Sequence, residues 1–192
     1  MTKSSLAPRP PKHLGIWATV ATILGGGTAY ATGIDGLTCA ASGCLAALTT
    51  RIALIDLKLR IILDKDSFAV AGVAWTWIIL TSPSFVDGFV GSMIHTLIWV
   101  AVFQALRFTY RRVNEREGIG FGDVKLIAAT APLLDTKLFA LSISISSVMG
   151  LIYVAIRKYR KRNLNTRYVT VPLGSLLILT IYLSWLLHLI DS

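Results

Sequence analysis

Two aspartates carry the residue chemistry of this chain. Asp123 stands in the run Gly118-Ile119-Gly120-Phe121-Gly122-Asp123-Val124-Lys125-Leu126, and an apolar run, Ile127–Leu134, follows at once. Asp56 closes an earlier apolar stretch, Ala53-Leu54-Ile55-Asp56-Leu57-Lys58. A carboxylate at the mouth of an apolar helix is costly to place and marks a functional position by default. The glycines ahead of Asp123 omit side chains, so another backbone can approach closely. Two carboxylates set side by side do not both ionise; they share a proton and titrate as a pair. The ionised member takes a proton from water while the protonated one donates to a carbonyl oxygen, which is what an aspartic peptidase requires. By itself the G-x-G-D pattern also fits a glycine turn with an acidic N-cap, so the elements that hold the two residues must decide.

Composition puts those elements in a bilayer. The 192 residues are 54% hydrophobic and 15% charged, with a mean hydropathy of +0.66, too apolar for the polar shell of a soluble domain. Seven stretches span or nearly span a membrane, against the roughly 20 residues a crossing helix needs. They are Leu14–Ala31, Leu37–Leu57, Phe68–Phe85, Asp87–Leu106, Ile119–Leu134, Leu138–Ile156 and Thr170–Ile190. Pro83 lies near the end of the third, and the fifth is short and opens with charge. The sequence therefore predicts an all-α polytopic membrane protein with about seven transmembrane helices. A flexible cytoplasmic tail occupies 1–13 and the membrane-embedded domain 14–192. No signal-peptide cleavage site is evident.

Loop charge sets the orientation. Lys3, Arg9 and Lys12 precede the first stretch; Lys58, Arg60 and Lys65 follow the second. Arg107, Arg111, Arg112 and Arg116 follow the fourth, and Arg157, Lys158, Arg160, Lys161, Arg162 and Arg167 follow the sixth. All but three of the 19 basic residues thus fall on one side, which predicts a cytoplasmic N-terminus and an outer C-terminus. The net charge of +9 is accounted for by these topology determinants beside anionic headgroups, so lipid is an implied partner and nucleic acid is not. The same alternation brings Asp56 and Asp123 to one cytoplasmic face and puts Asp35, Asp87 and Asp135 on the other.

Other residues fit plainer roles. Asp64 and Asp66 read as solvated loop charges, and Arg51 as a side chain reaching from a helix to the inner face. His95 and His188 are single histidines on apolar helices, suited to interhelical hydrogen bonds more than to a metal. Cys39 and Cys44 have no neighbouring histidine and read as buried packing residues. Ser142, Ser146 and Gly150 form a small-residue stripe for helix packing. No H-E-x-x-H, G-x-S-x-G or P-loop pattern occurs, so neither metal nor cofactor is expected.

At this level of detail the chain resembles the type IV prepilin peptidases, membrane aspartic proteases of the GxGD type. Glu117 to Ala129 closely matches that family's E-G-M-G-x-G-D-x-K-L-x-A-A block, and Ala53–Leu57 with Ile62-Leu63-Asp64 is similar to its A-x-I-D-x…L-P-D block. Val171-Pro172-Leu173-Gly174 resembles the I-P-F-G sequence that opens a helix near the active site, and Asp87–Gly91 the D-x-x-x-G start of the helix before the central motif. The resemblance implies Asp56 and Asp123 as catalytic residues. It implies Gly118, Gly120, Gly122, Lys125, Pro172 and Gly174 as the active-site loop or substrate-binding set. The implied substrate is a prepilin or pseudopilin, a short basic leader, a glycine and then a hydrophobic helix, cut after the glycine at the cytoplasmic face of the bacterial inner membrane. Leu63 replaces the proline usual before the aspartate at 64. The N-terminal cytoplasmic domain and first helix of the larger members have no counterpart, so a minimal, peptidase-only form is expected, with oligomeric state open. Two other readings compete. Presenilin and signal-peptide-peptidase-like intramembrane proteases share G-x-G-D but pair it with Y-D, where Ile55 precedes Asp56 here. A non-enzymatic helical assembly factor or carrier would bear structural charges only.

Overall fold

A computed structural model describes residues 14–31, 35–114, 120–160 and 172–191. The described elements are helices: α1 (Leu14–Ala31), α2 (Gly36–Leu59), α3 (Asp64–Thr81), α4 (Phe85–Asn114), α5 (Phe121–Thr130), a 3-10 turn over Ala131–Leu133, α6 (Thr136–Arg160) and α7 (Leu173–Asp191). The seven apolar stretches correspond one for one to the seven α-helices. Four of these, α2, α4, α6 and α7, are long and apolar enough to cross a bilayer, and α1 holds a shorter apolar window. The chain is an all-α polytopic membrane protein.

Helix ends follow local chemistry. The Asp35 carboxylate caps α2 by accepting the Thr38 N–H at 3.1 Å, and the Asp135 carboxylate does the same for α6 through the Leu138 N–H at 2.9 Å. Ser82 ends α3 because Pro83 disfavours helical backbone in the residue before it. The third helix begins four residues earlier than the apolar stretch suggested, because Asp64 and Asp66 occupy its first turn, where the helix dipole favours negative charge. The fifth has only 10 residues, about 15 Å of rise, half of a hydrocarbon core about 30 Å thick.

That short helix and the 3-10 turn that follows it are the most enclosed of the described elements. Val124, Leu126, Ile127, Ala129 and Thr130 of α5 are buried, and α3, α4 and α7 pack around it. On its other side α7 packs against α2 and α6, and α2 packs against α1 and α3. Leu45, Ile52, Val70, Ile181 and Trp185 fill the core between them. Close approach of α1 and α2 depends on small residues: a Cβ added at Gly43 would stand 3.3 Å from the Thr22 carbonyl oxygen. Ser142, Ser146 and Gly150 are all buried, and the Ser142 hydroxyl donates to Ser184 on α7 at 2.9 Å, as the small-residue stripe predicts. His95 does make an interhelical bond. Trp99 Nε1–H donates to its Nε2 at 2.8 Å, which leaves Nδ1 to donate to the Ala131 carbonyl at 3.0 Å. The cysteines depart from the expectation of burial: Cys39 is half-buried and Cys44 exposed, the latter lining an apolar groove along the α2–α3 seam.

Candidate active site

Asp56 occupies the last turn of α2 and is 5% exposed. One turn later the helix stops at Arg60, whose φ of 54° is left-handed and uncommon for a residue with a Cβ. The Arg60 N–H returns to the Asp56 carbonyl at 2.9 Å. The chain therefore reverses directly beyond Asp56, and residues 60–63 form the short link into α3.

Asp123 is the third residue of α5, whose N-cap is Gly120. Its backbone N–H donates to the Gly120 carbonyl at 3.2 Å. Its carboxylate folds back over the cap, so a Cβ at Gly120 would lie 3.3 Å from Asp123 Oδ2.

The N-terminus of α7 joins the two. The first N–H groups of a helix have no partner within it, and one of them, from Ser175, donates to Asp56 Oδ2 at 2.7 Å. The preceding residue, Gly174, faces the other aspartate: a Cβ there would stand 3.3 Å from Asp123 Oδ1. Consecutive residues of one helix thus border both carboxylates, and the two aspartates lie within electrostatic reach of each other. Among the described residues neither forms an ion pair. Buried Pro172 precedes this helix and accepts the Ser175 hydroxyl at 2.8 Å on its carbonyl. Gly118 lies outside the described residues. Gly122 faces Ile62 of the α2–α3 link, with a Cβ there reaching 3.2 Å from Ile62 Cβ.

The remaining carboxylates are occupied otherwise, which corrects the reading of Asp64 and Asp66 as loop charges. Both lie in the first turn of α3. Asp66 is 4% exposed and pairs with Arg51 Nε at 3.1 Å, so Arg51 turns to a carboxylate and not simply to the inner face. Asp64 is exposed and pairs with Lys125 Nζ at 2.7 Å. Lys125, two residues beyond Asp123, is thereby directed to α3. Its ammonium stands 4.8 Å from the centre of the Phe121 ring, with the Arg107 guanidinium 5.2 Å from that centre, a cation–π arrangement at the start of α5. Among the described residues no three His, Cys, Asp or Glu side chains are grouped to hold a metal ion.

Two carboxylates bordering one helix N-terminus and each other can share a proton. With that geometry goes a family: the model of the type IV leader peptidase family matches residues 43–155, more than half of the chain. The chain belongs to the type IV leader peptidase family, a family of membrane peptidases. The matched region contains Asp56, Asp123 and the whole α2–α3 link. No curated protein and no solved structure matches the chain significantly.

Sequence reasoning passed over Ser175 and Ile62. Ser175 directly follows the Pro172–Gly174 motif, and its position in the first helical turn was the available signal. Ile62 falls within the Ile62-Leu63-Asp64 block of the resemblance, but its aliphatic side chain gave no sign of a contact with the site.

Proposed function

We propose that this peptidase is an aspartic endopeptidase that removes the basic leader from type IV prepilins or pseudopilins, with Asp56 and Asp123 activating water between them. The observation that carries the proposal is the meeting of both carboxylates at the start of α7, through the Ser175 N–H on Asp56 and Gly174 against Asp123. One carboxylate takes a proton from water as it attacks the scissile carbonyl. The other, protonated, donates to the carbonyl oxygen, and the roles reverse as the amine leaves. Gly120 sets no side chain over the Asp123 carboxylate, and an extended peptide can lie there. The bilayer anchors the substrate's hydrophobic helix laterally and so reduces encounter to positioning.

Loop charge supports cleavage at the cytoplasmic face, and the resemblance to prepilin peptidases implies the bacterial inner membrane. Reporter fusions at Arg112 and Arg162 are expected to read cytoplasmic and a fusion at Asp135 periplasmic; a periplasmic reading at Arg112 would put the site on the wrong side for a cytoplasmic leader. The direct test incubates membranes containing the full chain with a prepilin and scores leader removal after the glycine. An intact leader with well-inserted protein would overturn the proposal.

A further inference from the structure

The α2–α3 link carries a side chain, Ile62, that packs against one glycine on each of the two helix starts beside Asp123. Ile62 enters a slot between two glycines from different helices. A Cβ built at Gly122 of α5 would lie 3.2 Å from Ile62 Cβ, and one at Gly174 of α7 would lie 2.6 Å from Ile62 Cδ1. The second distance is shorter than two carbon atoms tolerate, so the slot exists only because residue 174 has no side chain. Both glycines adjoin Asp123: Gly122 precedes it in the chain, and Gly174 is packed on its Oδ1. The link itself is held by the left-handed Arg60, whose N–H is bonded to the Asp56 carbonyl. Ile62 is therefore tied through three residues of backbone to the helix end that bears Asp56, while its side chain bears on the two helix starts beside Asp123.

We infer that Ile62 is a positioning residue for the peptidase reaction: seated between Gly122 and Gly174, it sets where the Asp123 carboxylate stands relative to Asp56. This rests on the two-aspartate reading above. A misplacement of about 1 Å at a reacting group costs on the order of 10²-fold in rate, and a β-branched side chain with few rotamers suits that task.

The experiment is a size exchange across the slot, with kcat and KM measured on prepilin for the full chain in membranes. Gly174→Ala drives a methyl into Ile62 Cδ1 and is expected to lower kcat by roughly 10²-fold, with KM within about threefold. Ile62→Val removes that Cδ1; added to Gly174→Ala it is expected to restore kcat at least about tenfold, since residues sharing one contact are non-additive. Ile62→Ala, which adds no atom and so cannot clash, is expected to lower kcat with KM unchanged, and it decides the matter if Gly174→Ala fails to insert. Absence of rescue in an inserted double variant, a loss confined to KM, or a faster enzyme on Ile62→Ala would each overturn the inference. The last would show Ile62 to be an obstruction. Failure of the underlying reading looks different: Asp56→Asn or Asp123→Asn would then still cleave.

Discussion

Four aspartates crowd the region around the α2–α3 link, and they divide into two pairs with opposite surroundings. Asp64 and Asp66, in the first turn of α3, each have a cation: Lys125 at 2.7 Å and Arg51 at 3.1 Å. Asp56 and Asp123 have no ion-pair partner among the described residues. They have instead a backbone N–H, a glycine, and each other. A carboxylate paired with a guanidinium or an ammonium on another helix serves to join the two helices. In the proposed mechanism Asp56 and Asp123 share a proton, and a shared proton can be moved. On the proposed reading this difference sets structural aspartates apart from chemical ones, although Asp56 and Asp64 are only about two turns' worth of residues apart.

The strongest way to break that division is to substitute each aspartate in turn. Asp56→Asn and Asp123→Asn are each expected to reduce prepilin cleavage by at least ~10³-fold, the scale of acid–base contributions, with the protein still in the membrane. Because the pair acts as a unit, the double variant is expected to be scarcely worse than either single one. The parent enzyme should show a bell-shaped pH profile, since losing either the base or the acid stops turnover. Retention of activity by either single variant would remove that residue from the chemistry.

Asp66→Asn sharpens the comparison from the other side. It leaves Arg51 without a carboxylate next to a buried position, at a cost of ~1–3 kcal/mol in stability. The expected readout is a lower thermal midpoint in detergent, with kcat of the surviving protein changed only a few-fold. A collapse of kcat at an unchanged midpoint would move Asp66 into the chemical group.

Asp64→Asn should do least among the four. Its pair is exposed, and such pairs contribute about 0–1 kcal/mol, so substantial activity and near-normal stability are expected. An inactive Asp64→Asn alongside an active Asp56→Asn would shift the first catalytic residue to position 64, next to the Leu63 that departs from the family pattern. The smallest effect expected is that of chelation. Carboxylates acting directly on water need no metal, so activity should survive EDTA, and loss restored by zinc would show the chemistry to be of another kind.

Apolar length sufficed to read the seven helices, because in hydrocarbon the backbone must bond within each segment. The G-x-G-D run and the aspartate at the end of the second stretch were likewise legible, since charge at the edge of an apolar helix is conspicuous. Helix starts were less so: Asp64 and Asp66 read as loop because charge interrupts an apolar count, whereas a first helical turn welcomes it. What lay beyond the sequence was everything set by neighbours distant in the chain. Arg51 could be assigned to solvent or to any carboxylate until packing placed α3 beside α2. Ser175 and Ile62 are ordinary residue types, and their place at the site comes from where α7 begins and from how sharply the chain turns at Arg60. Pairing of Asp56 with Asp123 depends on a helix start arriving between them, and only the tertiary fold brings α7 there, because side-chain contact across helices is fixed by packing and not by spacing along the chain.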